Sequence, residues 1–210
     1  MVEFQESKTK ENLARSFAAE CQEGARYQFL AKKAMQQGYQ YLSYLIRTIA
    51  KNEMAHAQQF FNKINEYGAP ETHNIDIHAG YPFVSGEIDK SLLTESKNEK
   101  NSGENIYPSF ASIARDEGYP DVAHLFEMIA DVEISHEKIL AQLHEKFKNK
   151  KLYKSTNPAV FKCDTCGYVE KSKQAPKTCP LCQMEQGCFR IDISIDDYKD
   201  FPQVVEVLLR

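Results

Sequence analysis

Four glutamates, Glu20, Glu53, Glu99 and Glu133, each stand close to the middle of a long stretch with helical periodicity. No other feature narrows the possible folds as far. Apolar residues recurring at spacings of three and four mark one face of a helix. The pattern predicts helix A over 9–37, helix B over 39–67, helix C over 85–117 and helix D over 121–149. Gly38, Gly68-Ala69-Pro70 and Gly118-Tyr119-Pro120 punctuate them. The stripe of helix A is Leu13, Phe17, Glu20, Gly24, Tyr27, Ala31 and Ala34; that of helix B is Leu42, Leu45, Ile49, Glu53, His56 and Phe60. Helix C presents Leu92, Glu95, Glu99, Ser102, Ile106, Phe110 and Ile113, and helix D Ile129, Glu133, His136, Leu140, Leu143 and Phe147. Polar residues interrupt every stripe at positions that should pack a core.

Two hairpins joined by one long crossover, which carries His73, His78, Gly80 and Pro82, make the ferritin-like connectivity of a four-helix bundle. Helix midpoints then meet at one level. Four carboxylates buried there together would repel and resist ionising, at a cost of several kcal/mol each. Bound cations turn that cost into affinity. Glu53-Met-Ala-His56 and Glu133-Ile-Ser-His136 each put a carboxylate and an imidazole on one helix face. Two such pairs plus one Glu from each remaining helix is the di-iron carboxylate arrangement. A single Glu-x-x-His is common on exposed helix faces, and Glu23, Glu95 and Glu137 are further candidates by position. The joint pattern, in register with all four stripes, is what points to metal. The expected ligands are Glu20, Glu53, His56, Glu99, Glu133 and His136. Such a set suits iron or manganese and, less selectively, zinc, with two ions about 3.5–4 Å apart. Tyr27 and Tyr107, two turns beyond Glu20 and Glu99, are placed to hydrogen-bond ligand carboxylates; the plainer reading is two interfacial tyrosines.

The composition changes near residue 150. Beyond it come two Cys-x-x-Cys knuckles, Cys163-Asp-Thr-Cys166 and Cys179-Pro-Leu-Cys182, with twelve residues between them. Two facing knuckles supply tetrahedral thiolate ligands for zinc or iron. A redox-capable companion site favours iron, as an electron-transfer centre, over a structural zinc ribbon. Gly167 fits the turn where backbone N–H groups should face sulfur. Cys21 and Cys188 fall outside this scheme and read as packing residues. The expected units are a bundle over 1–150, a rubredoxin-like four-cysteine unit over 158–195 and an extension over 196–210 with no functional account.

Of the 210 residues 42% are hydrophobic and 27% charged, with a formal net charge of −4, which describes an ordinary soluble protein and gives no reason to expect nucleic acid. Lys146, Lys148, Lys150, Lys151 and Lys154 complement the end of a helix and need no partner. The opening Met-Val-Glu-Phe-Gln-Glu-Ser-Lys is unlike a signal peptide, and no window approaches the ~18 apolar residues of a membrane span. The expectation is a cytoplasmic protein, where clustered cysteines hold metal more often than disulfides.

Along nearly its whole length the chain resembles the rubrerythrin family. The resemblance rests on Phe-Ala-Ala-Glu20 followed by Arg26-Tyr27, on Glu53-Met-Ala-His56, and on Tyr107-Pro-Ser-Phe-Ala-Ser-Ile-Ala-Arg-Asp-Glu-Gly-Tyr119. Glu133-Ile-Ser-His136-Glu-Lys and the cysteine knuckles complete it. It implies a non-haem peroxidase that reduces hydrogen peroxide to water in the cytosol of organisms intolerant of oxygen. Electrons would come from NAD(P)H through a separate reductase or rubredoxin, enter at the four-cysteine iron and pass to the di-iron site. It also implies a homodimer in which one subunit's cysteine domain serves the other's bundle. In one respect the sequence departs from the family, which usually carries Glu-x-x-Glu on helix C. Here Ser102 takes the second place, with Glu104, given a helix bulge, or Glu95 as substitutes. The departure bears on peroxidase rate and on the choice of peroxide over dioxygen. A ferroxidase reducing dioxygen, a zinc ribbon beside a partner-binding bundle and an oxygenase are the competing functions.

Overall fold

The computed structural model describes residues 2–68, 74–83 and 86–191. Its main body is built from α1 (Lys8–Gln36), α2 (Gln40–Gly68), α3 (Ile88–Asn101), α4 (Tyr107–Glu117) and α5 (Pro120–Lys148). These form the expected bundle of two hairpins, α1 with α2, and α3 and α4 with α5. The hairpin turns follow Gln36 and Glu117, where Gly38 and Gly118 take positive φ. Ser7 opens α1 by accepting from the Lys10 N–H at 3.0 Å, an N-cap. Beside it the Glu117 carboxylate accepts from the Lys8 and Thr9 N–H groups at 2.9 and 2.8 Å, tying the end of α4 to the start of α1.

Helix C, expected as one piece over 85–117, begins at Ile88 and is divided. Between α3 and α4 the chain makes one wide turn over Ser102–Ile106, closed by the Tyr107 N–H on the Ser102 carbonyl. Pro108 gives the physical reason. It has no N–H for the Glu104 carbonyl and its ring would crowd that oxygen in a regular helix, so the turn before it widens.

The apolar core is split. One cluster holds Leu13, Phe60, Tyr107, Ala111, Tyr119, Val122, Phe126 and Ile129. Phe60 and Phe126 meet there with their rings tilted by 35° and centroids 5.2 Å apart. The other holds Tyr27, Leu30, Leu42, Ile46, Ile49, Ile88, Leu92 and Leu140. In every helix the glutamate of the stripe lies between its contributions to the two clusters. The carboxylates therefore form a polar layer between two dry ones.

After α5 the chain enters β1 (Lys154–Cys163), β2 (Val169–Gln174) and β3 (Phe189–Ile191), an antiparallel sheet in the order β2-β1-β3. A third core gathers Tyr153, Phe161, Ala175, Phe189 and the buried cysteines Cys163, Cys179 and Cys188. Tyr39 and Leu152 pack against both this core and the bundle, with the Tyr39 ring edge-on to Phe147 at 5.0 Å. No helix among the described residues is long and apolar enough to cross a membrane. The extension 196–210 lies outside the described residues.

The small unit meets the bundle at Gly187, where an added Cβ would sit 1.5 Å from the Gly38 carbonyl oxygen. That atom is backbone and cannot swing aside. Gly187→Ala should therefore force the two parts apart, at about 1–3 kcal/mol of overpacking. A lowered denaturant midpoint would register it, and an unchanged midpoint would rule the contact out.

Candidate metal centres

The polar layer brings together all six residues expected as bundle ligands. Glu20, Glu53, His56 and Glu133 offer atoms within 4.8 Å of one another, and so do Glu53, Glu99, Glu133 and His136. Glu53 and Glu133 belong to both groups, one oxygen to each. His56 Nδ1 lies 3.0 Å from Glu53 Oε2 and 3.1 Å from Glu133 Oε1, while His136 Nδ1 lies 3.0 Å from Glu53 Oε1 and 3.2 Å from Glu133 Oε2. Glu20 completes the His56 half, with Oε2 3.4 Å from Nδ1, and Glu99 the His136 half. The four carboxylates are at most 1% exposed.

Burial on this scale leaves the charges poorly satisfied. Glu20 Oε2, both Glu53 oxygens, Glu99 Oε2, Glu133 Oε1 and His56 Nδ1 are buried with no aligned hydrogen bond. The His56 nitrogen is close to three carboxylates yet aimed between them, the stance of a ligand. Burial first, then the Glu133 charge, raises Glu20 and Glu99 well above the usual carboxylate range. Burial works against charge on His136 too, but Glu53 and Glu133 prevail and hold it up at about 10. Two divalent cations between these groups would resolve the conflict, so the donor set fits a pair of metal ions.

Two tyrosines cross the layer. Tyr27 on α1 donates to Glu99 on α3, and Tyr107 on α4 donates to Glu20 on α1. The arrangement is two-fold, each hairpin supplying one Glu, one Glu-x-x-His and one Tyr that braces the other hairpin's Glu. Tyr27 follows Glu20 by seven residues, but Tyr107 follows Glu99 by eight. At about 100° per residue that extra residue would swing Tyr107 off the stripe; the wide turn absorbs it. Gly103 makes the turn possible, since a Cβ there would lie 2.8 Å from the Ala130 carbonyl oxygen on α5. The seven-against-eight spacing, with Gly103 and Pro108 beside it, is the trace of this device in the sequence.

The four expected cysteines also converge. Cys163, Cys166, Cys179 and Cys182 offer sulfurs within 4.8 Å of one another, with Cys163–Cys182 at 3.7 Å and Cys166–Cys179 at 3.6 Å. Four thiolates at 2.3 Å from one ion stand about 3.8 Å apart, so the set fits a tetrahedral metal. The knuckles match: the Gly167 N–H bonds the Cys163 carbonyl at 2.8 Å, and the Gln183 N–H the Cys179 carbonyl at 2.9 Å. Gly167 and Gln183 both take positive φ; sequence reasoning passed over Gln183 because its side chain gives no sign of that conformation. Burial opposes ionisation of Cys163, but the N–H groups of Cys166 and Thr165 and the Cys188 thiol hold it down at about 6. Cys188 is buried as expected, yet it touches this site, 3.4 Å from Cys163.

The two substitutes for a helix C carboxylate stay out of the centre. Glu104 points outward, half exposed, 3.8 Å from Lys100. Glu95 is buried but clasped by Arg26 through two hydrogen bonds of 3.0 and 2.8 Å. Ser102 is buried at the start of the wide turn. Glu23, a turn beyond Glu20, is also buried and 3.3 Å from Arg26. Burial first, then the charges of Glu53 and Glu133, push it up to about 8, against the pull of Arg26. This folded value lies above that of an unfolded glutamate, so the stabilisation from the extra proton is full at low pH and is lost as pH rises through about 8. In the metal-free protein Glu23→Gln, neutral at every pH, should flatten the fall in denaturant midpoint between about pH 5 and pH 8. Identical pH slopes in the two proteins would refute it.

The family model described as Rubrerythrin matches residues 11–89 and 90–176. Rubrerythrin-1 of Clostridium acetobutylicum is 37% identical over 191 residues, covering 91% of this chain and 97% of that protein. The rubrerythrin of Nitratidesulfovibrio vulgaris is 30% identical over 192 residues, with the same coverage of both. Among solved structures, partially reduced nigerythrin superposes with a TM-score of 0.58 at 24% identity, over 89% of this chain and 90% of that one. A Desulfovibrio desulfuricans bacterioferritin gives 0.61 at 24% identity, over 69% and 82%; both likenesses concern the fold. With the fold, the two ligand clusters and these relatives in agreement, the chain belongs to the rubrerythrin family.

Proposed function

We propose that this chain is a non-haem di-iron peroxidase. It reduces hydrogen peroxide to water with electrons relayed from NAD(P)H, through a separate reductase or rubredoxin and the four-cysteine iron centre. Its place is oxidative-stress defence in the cytoplasm. The observation that carries the reading is the double sharing of Glu53 and Glu133, each with one oxygen in the His56 half and one in the His136 half. Carboxylates so placed would serve two metals rather than one. A pair of iron ions held by these residues would supply the two electrons that hydrogen peroxide and two protons consume in becoming two waters.

The chain's own residues do the rest. Tyr27 and Tyr107 keep their protons, raised far above the usual phenol range by burial and then by Glu99 and Glu20 respectively. Their Oη–H groups hold Glu99 and Glu20 in place across the layer. The aromatic cluster around Phe60 and Phe126 keeps water from one side. His56 is the more open of the two histidines, its side chain 12% exposed against 5% for His136, so a small solute enters on that side.

The relay favours a homodimer. The cysteine unit docks at Gly38, just past the end of α1, which runs sixteen residues beyond Glu20, about 24 Å at the rise of a helix. A partner chain's cysteine centre, laid along the bundle, shortens that path. A second reading draws on Ser102 and the outward Glu104, which leave the two halves with equivalent ligand sets: a ferroxidase that reduces dioxygen. The attached cysteine centre, which iron storage does not need, favours the first.

Anaerobically purified protein with NADH, a reductase and peroxide should turn over, and faster with peroxide than with dioxygen. Glu53→Ala and His136→Ala should each cut turnover by about 100-fold or more and lower the bundle's metal content below about two ions. Full turnover in both variants would end the peroxidase reading, and faster consumption of dioxygen would favour the ferroxidase.

A further inference from the structure

Five of the six cysteines lie in the C-terminal unit, and four of them complete a tetrahedral set. Cys188 is the fifth. It ends the short turn Gln186–Cys188 directly before β3, is 1% exposed, and brings its Sγ to 3.4 Å from Cys163 Sγ. Its backbone is held on both sides. The Cys188 N–H bonds the Glu185 carbonyl at 3.1 Å, and its own carbonyl accepts from the Asp164 N–H at 3.0 Å. In the β1–β3 ladder Cys163 stands opposite Phe189, so the two thiols are fixed together by the sheet.

Three roles are open to a thiol so placed. As a packing group it would be replaceable by any small apolar side chain. As a metal ligand it is surplus, because the other four sulfurs are mutually within reach without it. As a donor it has a partner, for a neutral thiol carries one proton and Cys163 as a metal-bound thiolate carries none. We infer that the Cys188 Sγ–H donates a hydrogen bond to the Cys163 thiolate and raises the reduction potential of the four-cysteine iron centre. The inference rests on the reading that this site holds iron.

The direction follows from charge. Reduction adds one negative charge to the iron–sulfur unit, and a donor on sulfur stabilises the more negative state. Backbone N–H groups of Cys166 and Thr165 already serve Cys163, as Tyr168 serves Cys166 and Met184 serves Cys182. The Cys188 thiol is a side-chain donor added to these backbone donors, and its burial strengthens the bond. A higher potential makes the centre a readier acceptor from an external donor, the step it serves in the proposed relay.

The test uses full-length, iron-loaded protein with Cys188→Val, which removes the donor, and Cys188→Ser, which keeps one. At a fixed applied potential, Cys188→Val should lower the ferrous-to-ferric ratio about tenfold, equivalent to about 59 mV for one electron. Cys188→Ser should stay within about twofold of the unaltered protein. Three equal potentials would overturn the inference, since packing alone moves stability and not potential. Iron lost from Cys188→Val would overturn it in favour of a ligand. The ferric–thiolate spectrum of the unaltered protein is recorded first. Its absence would bring down the iron reading and this inference with it, whereas its presence with equal potentials would sink the inference alone. Should Cys188→Val fail to fold, the S–H infrared stretch decides in a Cys21→Ala background. A band that moves to lower frequency on reduction supports the bond, and one indifferent to oxidation state refutes it.

Discussion

Four carboxylates buried at one level of a helical bundle set the terms for the rest of this molecule. Each is costly to desolvate, and each makes its neighbours harder to ionise. The chain does not relieve the problem by surface exposure. It closes the layer between two apolar clusters, one rich in aromatics around Phe60 and Phe126, the other aliphatic around Ile46 and Leu92. Those clusters pack the helices on either side of the layer and keep the local dielectric low. Charge in the layer is then decided by what binds there. Metal affinity and bundle stability become one quantity, as in other sites where ligands are preassembled at a cost.

The layer is organised by a two-fold relation between hairpins. Each contributes a glutamate, a Glu-x-x-His pair and a tyrosine, and each tyrosine serves the opposite hairpin. The bonds therefore couple the halves as well as positioning the carboxylates. Keeping this symmetry required a repair. One extra residue between Glu99 and Tyr107 would have rotated everything after it about the axis of helix C. The wide turn before Pro108 takes up that residue, and Gly103 lets its backbone lie against α5. An irregularity in one helix thus preserves regularity in the site.

The C-terminal unit repeats the theme on a smaller scale. Two knuckles with matching turns, one closed at Gly167 and the other at Gln183, face their sulfurs toward a common point. Backbone N–H groups surround them, and the sheet delivers a further thiol to Cys163. The unit is pressed onto the bundle through backbone at Gly187 and Gly38 and through Tyr39 and Leu152. That contact, just past the end of α1, places the C-terminal unit at that end of the bundle.

Much of this was legible beforehand. Helical period, glutamates at mid-helix and two Glu-x-x-His pairs are local patterns, and locality is what a sequence displays directly. They determined a bundle of two hairpins and the identity of the six residues that gather in its centre; the knuckles likewise announced four converging sulfurs. Other features depended on distances between segments remote in the chain. That Glu95 is claimed by Arg26, that Glu104 faces solvent, that each tyrosine reaches across to the other hairpin and that Cys188 lies against Cys163 all followed from how the elements pack. The reason is physical. Periodicity says which face of a helix turns inward, but the partner of a buried polar atom is settled by the elements packed against it, and that is decided only when the chain is folded.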